Sequence, residues 1–287
     1  MSETTQINVM PLDQKVARLR SILRDLKSVA VAFSAGVDST LVLKVALDAL
    51  GPENVVAVTG RSDSLAAAEF EEACKLADQL GAEHVVLDTN EFDNQNYLAN
   101  PTNRCYFCKT TLYTQLESFI ADRGIHAIIN GVNADDLGDF RPGLGAAHEH
   151  NVRAPVADAG MTKADVRALS QQLGLPTFDK PASPCLSSRV PYGEPITPDK
   201  LRMIEAAERF LRTEIGICEC RVRHHNNLAR IEVPPDSISM LARPDVRDRV
   251  DRHFRALGYA YVALDLAGFR TGSLNEVIPL ESLTTPR

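Results

Sequence analysis

The first 130 residues alternate short apolar runs with longer amphipathic stretches, and this alternation constrains the fold more than any other feature. Four apolar runs predict buried strands at residues 29–33, 55–58, 84–87 and 127–130. Apolar residues at helical spacing separate these runs and predict helices at 12–26, 39–50, 66–80 and 105–123. Strands that alternate with helices form parallel βαβ units, so we predict an α/β fold that binds ligands at the carboxyl ends of its strands.

The sequence changes character after residue 176. Six prolines between 176 and 198 exclude a regular helix or a central strand there. A helix then begins at Thr197-Pro198, and residues 220–225 and 228–233 predict paired strands around an Asn226-Asn227 turn. A helix at 244–257 and a strand at 259–266 follow. We therefore predict an α/β domain over 1–178 and a smaller α+β domain over 179–287.

Charge and apolar content limit the partners and the compartment. The net charge of −7 argues against a surface that binds nucleic acid. The longest apolar runs fall far short of the roughly 20 residues that a membrane helix needs. The first residues carry no secretory signal, so we expect a cytoplasmic protein with reduced cysteines. We also expect it to form a homo-oligomer.

The loop SAGVDST, after the first predicted strand, is a candidate phosphate site. Gly36 lets the backbone approach a phosphate closely, and the N–H groups at the start of the following helix attract anions. Ser34, Ser39 and Thr40 add hydroxyl donors, and Asp38 is placed to hold the magnesium of a nucleotide triphosphate. A tight turn with capping side chains is the alternative. The loop lacks the lysine of a Walker A motif.

A second polar loop, GVNADDLGDFRPG, follows the fourth predicted strand. Its Asp135, Asp139 and Arg141 suit magnesium and phosphate. Composition alone favours a solvated surface loop, but the position at the carboxyl edge of the sheet favours ATP binding.

Three cysteines form a candidate metal site. Cys105-x-x-Cys108 and Cys185 suit an iron–sulfur cluster, because thiolates are the usual ligands of such clusters. Three thiolates would leave one iron of the cluster without a protein ligand. Zinc, completed by His148 or His150, fits the spacing as well, and so do unrelated core cysteines.

Arginines in the second half form a candidate anion site. Arg221 and Arg223 alternate onto one face of a strand, and Arg189 could join them in binding a phosphate. Surface arginines on an edge strand are the alternative for each. Cys218 and Cys220 favour a structural role and are reserve metal ligands.

The motifs resemble those of known ATP-using families. SAGVDST resembles the SGGxDS loop of the ATP-pyrophosphatase (PP-loop) superfamily, whose members adenylate a substrate and release pyrophosphate. Ala35 replaces the first glycine of that loop. This replacement is tolerated if the backbone φ at residue 35 is negative, and it would weaken phosphate binding if φ is positive. The second loop resembles a block found in sulfur-handling members.

The segments PCLSSRV, CRVR and LDLAGFRTG resemble a narrower family, the LarE ATP-dependent sulfurtransferases, over about Leu19 to Asn275. This family makes the nickel-pincer nucleotide. The resemblance implies adenylation, with ATP and Mg²⁺, of a carboxylate of pyridinium-3,5-biscarboxylic acid mononucleotide, followed by its conversion to a thiocarboxylate. It implies catalytic roles for Cys185, Asp38 and Ser188, and contacts with the mononucleotide's phosphate by Arg189, Arg221 and Arg223.

The same resemblance addresses the source of the sulfur. Some LarE proteins give up the sulfur of one cysteine, but that position is Pro184 here. Cys105, Cys108 and Cys185 resemble the type in which three cysteines hold a [4Fe-4S] cluster and the open iron binds an external sulfide. A tRNA thiolase and an ATP-binding iron–sulfur redox sensor are the alternative functions.

Overall fold

The computed structural model of the protein describes residues 10–138 and 141–270. The α-helices of this part are α1 (Leu12–Leu26), α2 (Val37–Leu50), α3 (Ala67–Gln79), α4 (Gln95–Leu98), α5 (Arg104–Arg123), α6 (Pro142–Glu149), α7 (Pro155–Asp158), α8 (Lys163–Gln172), α9 (Pro198–Thr213), α10 (Pro235–Ala242) and α11 (Pro244–Ala256). The strands are β1 (Val29–Ala32), β2 (Val55–Arg61), β3 (Glu83–Asp88), β4 (Ala127–Ile129), β5 (Arg221–His225), β6 (Leu228–Glu232) and β7 (Tyr261–Leu264).

The first four strands form one sheet in the order β3-β2-β1-β4. The central strand β1 pairs in parallel with both β2 and β4, which confirms the predicted α/β class. Val29 and Val31 of β1 are fully buried, together with Leu41 and Leu43 of α2. A parallel strand that is buried on both faces consists of a continuous run of apolar residues, which is why the sequence predicts β1.

The described part of the chain forms two compact units that are discontinuous in sequence. The first comprises residues up to 60, together with 68–89 and 109–183. The second comprises 61–67, 90–108 and 184–270. The predicted division after residue 178 lies near the boundary at 183, but 61–67 and 90–108 belong to the second unit.

The second unit contains a three-stranded sheet. Strand β5 pairs antiparallel with β6, and β6 pairs in parallel with β7. Asn226 adopts φ +51° in the turn between β5 and β6, a conformation that asparagine tolerates better than most residues. Helix α9 begins as predicted, since the side chain of Thr197 accepts a hydrogen bond from the backbone N–H of Lys200. The predicted last strand, 259–266, is shorter in the structure, at Tyr261–Leu264.

No helix within the described ranges is long and apolar enough to cross a membrane.

Candidate active site

The predicted phosphate loop links the end of β1 to the start of α2. Ser34 donates its backbone N–H to the hydroxyl of Ser39 at 3.3 Å, and the two hydroxyl oxygens lie 3.2 Å apart. Ser39 also donates to the carbonyl oxygen of Gly36, which is the N-cap of α2. These bonds close the loop around the helix N-terminus, where a phosphate would be held. Thr40 is fully buried and its hydroxyl has no hydrogen-bond partner among the described residues.

Ala35 is strained within this loop. Its φ is +52°, in the left-handed region that disfavours a residue with a Cβ atom. The ammonium group of Lys180 donates to its carbonyl oxygen at 3.3 Å, and the same ammonium contacts Glu69 at 2.9 Å and Glu72 at 2.8 Å. Burial alone would lower the pKa of Lys180, but the hydrogen bonds and charges of the two glutamates outweigh it and raise that pKa. A fixed cation therefore holds the strained residue in place.

Asp38, in the first turn of α2, is the centre of a polar cluster. Its Oδ1 accepts from the side-chain amide of Asn133 at 3.1 Å, and its Oδ2 accepts from the ammonium of Lys163 at 2.5 Å. Gly131, after β4, allows this approach, because a Cβ there would lie 2.7 Å from the backbone of Asp38 and Ser39. Sequence reasoning included neither Lys163 nor the contact that it makes across 125 residues.

The second predicted loop contributes to the same cluster. The exposed Asp135 accepts the backbone N–H of Lys163 at 2.9 Å, which caps the start of α8. Asp136 accepts from Asn133 at 2.9 Å and pairs with Arg141 at 2.7 Å. The structure therefore brings Asp38 and Asp135 to the same lysine. The predicted ligand Asp139 lies outside the described residues.

The three candidate cysteines all belong to the second unit. Cys105 and Cys185 are exposed, and Cys108 is partly buried against an apolar cluster that includes Tyr97 and Leu186. Among the described residues, no three His, Cys, Asp or Glu side chains lie close enough to hold a metal ion. The structure places the three thiols in one unit without gathering them around a single point.

Hydrogen bonds fix the segment that carries Cys185. The hydroxyls of Tyr97 and Ser187 lie 2.7 Å apart in the interior, and Arg104 donates to the carbonyl of Ser187 at 3.0 Å. The fully buried Asn100 donates to the carbonyls of Val190, Pro191 and Glu194, at 3.2, 2.7 and 3.0 Å.

Arg189 is buried and has many protein partners. Its Nε and Nη2 contact the two carboxylate oxygens of Glu208 at 2.9 and 3.1 Å. Its Nη1 donates to the carbonyl oxygens of Pro184 and Cys185 and to the Ser188 hydroxyl, at 2.5, 3.0 and 2.9 Å. Arg189 therefore supports the backbone of Cys185, and its predicted contact with a substrate phosphate stays a prediction.

Arg221 and Arg223 both lie on β5, but their side chains contact different groups. Arg223 pairs with Glu232 at 2.7 Å and donates to the carbonyl of Ser188 at 2.9 Å. The guanidinium of Arg221 lies 5.0 Å from the ring centre of Phe269. Burial lowers the pKa of Arg221, and the positive charge of Arg189 lowers it further. The negative charge of Glu208, which pairs with Arg189, acts in the opposite direction.

The remaining two cysteines differ in exposure. Cys218 is exposed, whereas Cys220 is fully buried on the apolar core of the second unit. Burial, with the charge of Glu208, raises the pKa of Cys220 to about 12. A thiol in that state is a poor metal ligand, since ligation needs the thiolate.

A serine-rich loop that joins a strand of a parallel sheet to a helix, with Asp38 in the first turn of that helix, is the arrangement expected for the class of PP-loop ATP-pyrophosphatases. Consistent with that class, residues 12–102 match the protein-family model described as NAD synthase. The chain is 42% identical, over 96% of its length and 98% of the relative's, to pyridinium-3,5-bisthiocarboxylic acid mononucleotide synthase of Lactiplantibacillus plantarum. The chain belongs to the family of this synthase, the LarE family.

Two further relatives show how far the similarity extends. An uncharacterized protein of Synechocystis, slr1717, is 47% identical over 93% of this chain and 99% of its own length. A tRNA-specific 2-thiouridylase of Azorhizobium caulinodans is 31% identical, but the match covers only 54% of this chain and 49% of that enzyme.

Proposed function

We propose that the protein is an ATP-dependent sulfurtransferase that converts a carboxylate of pyridinium-3,5-biscarboxylic acid mononucleotide into a thiocarboxylate. The observation that carries this proposal is the full-length similarity to a synthase whose name gives the bisthiocarboxylic acid as its product. The alternative of a tRNA thiolase has weaker support, because the thiouridylase match covers about half of the chain. We expect the protein to be a cytoplasmic homo-oligomer that catalyses a step in nickel-pincer nucleotide biosynthesis.

The chemistry needs two steps. A carboxylate at neutral pH resists nucleophiles, so the carboxylate oxygen first attacks the α-phosphorus of ATP and pyrophosphate leaves. Hydrosulfide then attacks the acyl carbon, AMP leaves with the former carboxylate oxygen, and a proton is released. Asp38 and Asp135 are suited to hold Mg²⁺ at the phosphates, and the ammonium of Lys163 is close enough to Asp38 to neutralise the same charge.

The phosphate of the mononucleotide is assigned to the arginines of the second unit. Arg221 is the strongest candidate, because burial and the positive charge of Arg189 both lower its pKa. A phosphate beside Arg221 would relieve that repulsion. The hydroxyl of Ser188 accepts a hydrogen bond from Nη1 of Arg189.

The sulfur is assigned to a [4Fe-4S] cluster. Thiolates are the ligands such clusters take, and Cys105, Cys108 and Cys185 are three thiols of one unit. Ligands of a cluster surround a volume of several iron atoms rather than one ion, so their sulfurs need not converge on a point. When bound, the cluster would offer an open iron to external sulfide.

The ATP step is tested by pyrophosphate release with the mononucleotide as co-substrate. Asp38→Asn should abolish release while the thermal unfolding temperature stays within a few degrees, because the change removes a charge and no packing. Asp48→Asn, on the exposed side of the same helix, is the control and should keep full activity. Normal pyrophosphate release by the Asp38→Asn variant would contradict the assignment of Asp38 as a magnesium ligand.

The phosphate step is tested by binding. Arg221→Ala should weaken binding of the mononucleotide about tenfold to a hundredfold and leave ATP binding unchanged, since charge-assisted hydrogen bonds contribute about 1.5–3 kcal/mol. Arg247→Ala, at an exposed arginine of the same unit, is the control. Equal losses for both ligands would place Arg221 in the ATP site instead.

The sulfur source is tested on protein purified without air. Any one of Cys105→Ala, Cys108→Ala and Cys185→Ala should remove the iron and the visible absorption and stop sulfur transfer, while adenylation continues. Wild type with added sulfide should turn over many times. A single turnover that leaves dehydroalanine at Cys185 in iron-free protein would contradict the cluster, and zinc without any sulfur transfer would indicate a structural site.

A further inference from the structure

Arg104 is a buried guanidinium whose hydrogen-bond partners are all neutral. It is 3% exposed, at the first position of α5. Its Nη1 donates to the side-chain oxygen of Asn100 at 2.5 Å and to the carbonyl oxygen of Ser187 at 3.0 Å. The ring centre of Tyr192 lies 5.7 Å from its central carbon. Within the described ranges, no carboxylate lies at ion-pair distance from it.

Three other buried cations make a contrast. Lys15 pairs with Asp165, Arg189 with Glu208 and Arg223 with Glu232, at 2.6, 2.9 and 2.7 Å. These contacts follow the general rule that a buried charge needs an opposite charge beside it, because desolvation costs several kcal/mol. Arg104 does not follow that rule with any described carboxylate.

The ionisable groups that do surround Arg104 are thiols and phenols. Arg104 directly precedes Cys105 in α5, and the carbonyl of Ser187 to which it donates lies two residues after Cys185. Both thiols are exposed, whereas the guanidinium lies beneath the surface. Hydrogen bonds therefore hold the buried guanidinium between the two segments that carry these exposed cysteines.

From this arrangement we infer that Arg104 is the counter-charge of an anionic sulfur site formed at Cys105 and Cys185, with hydrosulfide as the simplest external ligand. The inference deepens the proposed function and rests on it only in treating these thiols as the place where sulfur is delivered. The positive charge favours anionic sulfur there over neutral H₂S. Arg104 acts through the local electrostatic potential and is a positioning residue for the ligand.

The test compares two alkylating reagents of similar shape, neutral iodoacetamide and anionic iodoacetate, on metal-free, reduced, full-length protein. The ratio of the two rates at one cysteine reports the local potential, because the fraction of thiolate cancels. Peptide mass spectrometry assigns the rates to each cysteine. In wild type, the ratio of iodoacetate to iodoacetamide should be at least about fivefold higher at Cys105 and Cys185 than at the exposed Cys218.

Substitutions separate the charge from the hydrogen bonds. Arg104→Gln should reduce the ratio at Cys105 and Cys185 to that of Cys218, and Arg104→Lys should retain most of it. Arg123→Gln removes an exposed charge from the other end of the same helix and should change neither ratio. A structural role alone would alter stability in Arg104→Gln without changing the preference between reagents.

Each outcome decides the inference. An unchanged ratio of iodoacetate to iodoacetamide rates in folded Arg104→Gln would overturn the inference. Equal ratios at all three cysteines in wild type would overturn it as well, and this second measurement remains possible if the variant fails to fold. Because the protein is metal-free and no ATP is present, a positive result stands even if no cluster forms. Failure of the proposed function would instead appear as absent pyrophosphate release, which this measurement does not involve.

Discussion

Replacement of Lys163 by methionine should change two affinities in opposite directions. In the nucleotide-free protein, the ammonium lies 2.5 Å from Oδ2 of Asp38, where a divalent cation would bind. Removal of the ammonium frees that oxygen, so Mn²⁺ used as a probe should bind more tightly. The same change removes a positive charge from the triphosphate site, so Mg-ATP should bind more weakly and pyrophosphate release should slow.

The magnitude follows from distance and exposure. Two unit charges 4 Å apart interact by about 1 kcal/mol in water and about 4 kcal/mol at an effective dielectric of about 20. The side chains of Lys163 and Asp38 are 38% and 24% exposed, so solvent screening reduces the interaction to about 1–2 kcal/mol. We therefore expect Mn²⁺ affinity to rise roughly five- to thirtyfold and Mg-ATP affinity to fall by a similar factor.

Electron paramagnetic resonance measures the free Mn²⁺, and a coupled assay measures pyrophosphate. Lys44→Met is the matched control, because Lys44 forms an ordinary i,i+4 pair with Asp48 on α2. Loss of both affinities together in Lys163→Met would point to damaged structure. No change in either would refute the role assigned to this lysine.

Three further changes address stability, each measured by urea denaturation. Ala35→Gly should raise the free energy of unfolding by about 0.5–1 kcal/mol, because relief of the left-handed strain exceeds the entropy that glycine adds to the unfolded chain, whereas Ala46→Gly inside α2 should lower it. Asn100→Gly should cost about 3 kcal/mol or more, because it leaves three carbonyl groups without their donor while keeping φ +53° accessible. Burial lowers the pKa of His224 to about 4, so between about pH 6.5 and 4 the unfolded state binds more protons than the folded state. The free energy of unfolding should therefore fall by about 2–3 kcal/mol as the pH drops through that range. His224→Gln should lack that loss, and equal pH dependence of variant and wild type would contradict the assignment.

The sequence was most informative where one element determines its own state. The apolar run of β1, the Thr197-Pro198 start of α9 and the Asn226-Asn227 turn are local signals, and all three appear in the structure. Helix α8 also has a local signal, the capping box of Thr162 and Asp165, which sequence reasoning passed over.

Long-range contacts were not predictable in the same way. The partnership of Lys163 with Asp38 joins residues 125 positions apart, and nothing in either local pattern specifies it. The assignment of 61–67 and 90–108 to the second unit depends on packing, such as that of Tyr97 against Leu186. The positive φ of Ala35 is not predictable from the sequence, because an alanine in a loop carries no signal for it.

The discontinuity of the second unit has a consequence for synthesis on the ribosome. Cys105 and Cys108 leave the exit tunnel about 80 residues before Cys185, which at 5–20 residues per second is a delay of roughly 4–16 s. During that interval Arg104 lacks the carbonyl of Ser187, and the nascent thiols lack the partner segment that shapes their surroundings. The reducing state of the compartment must therefore protect the first two cysteines until the chain has supplied the third.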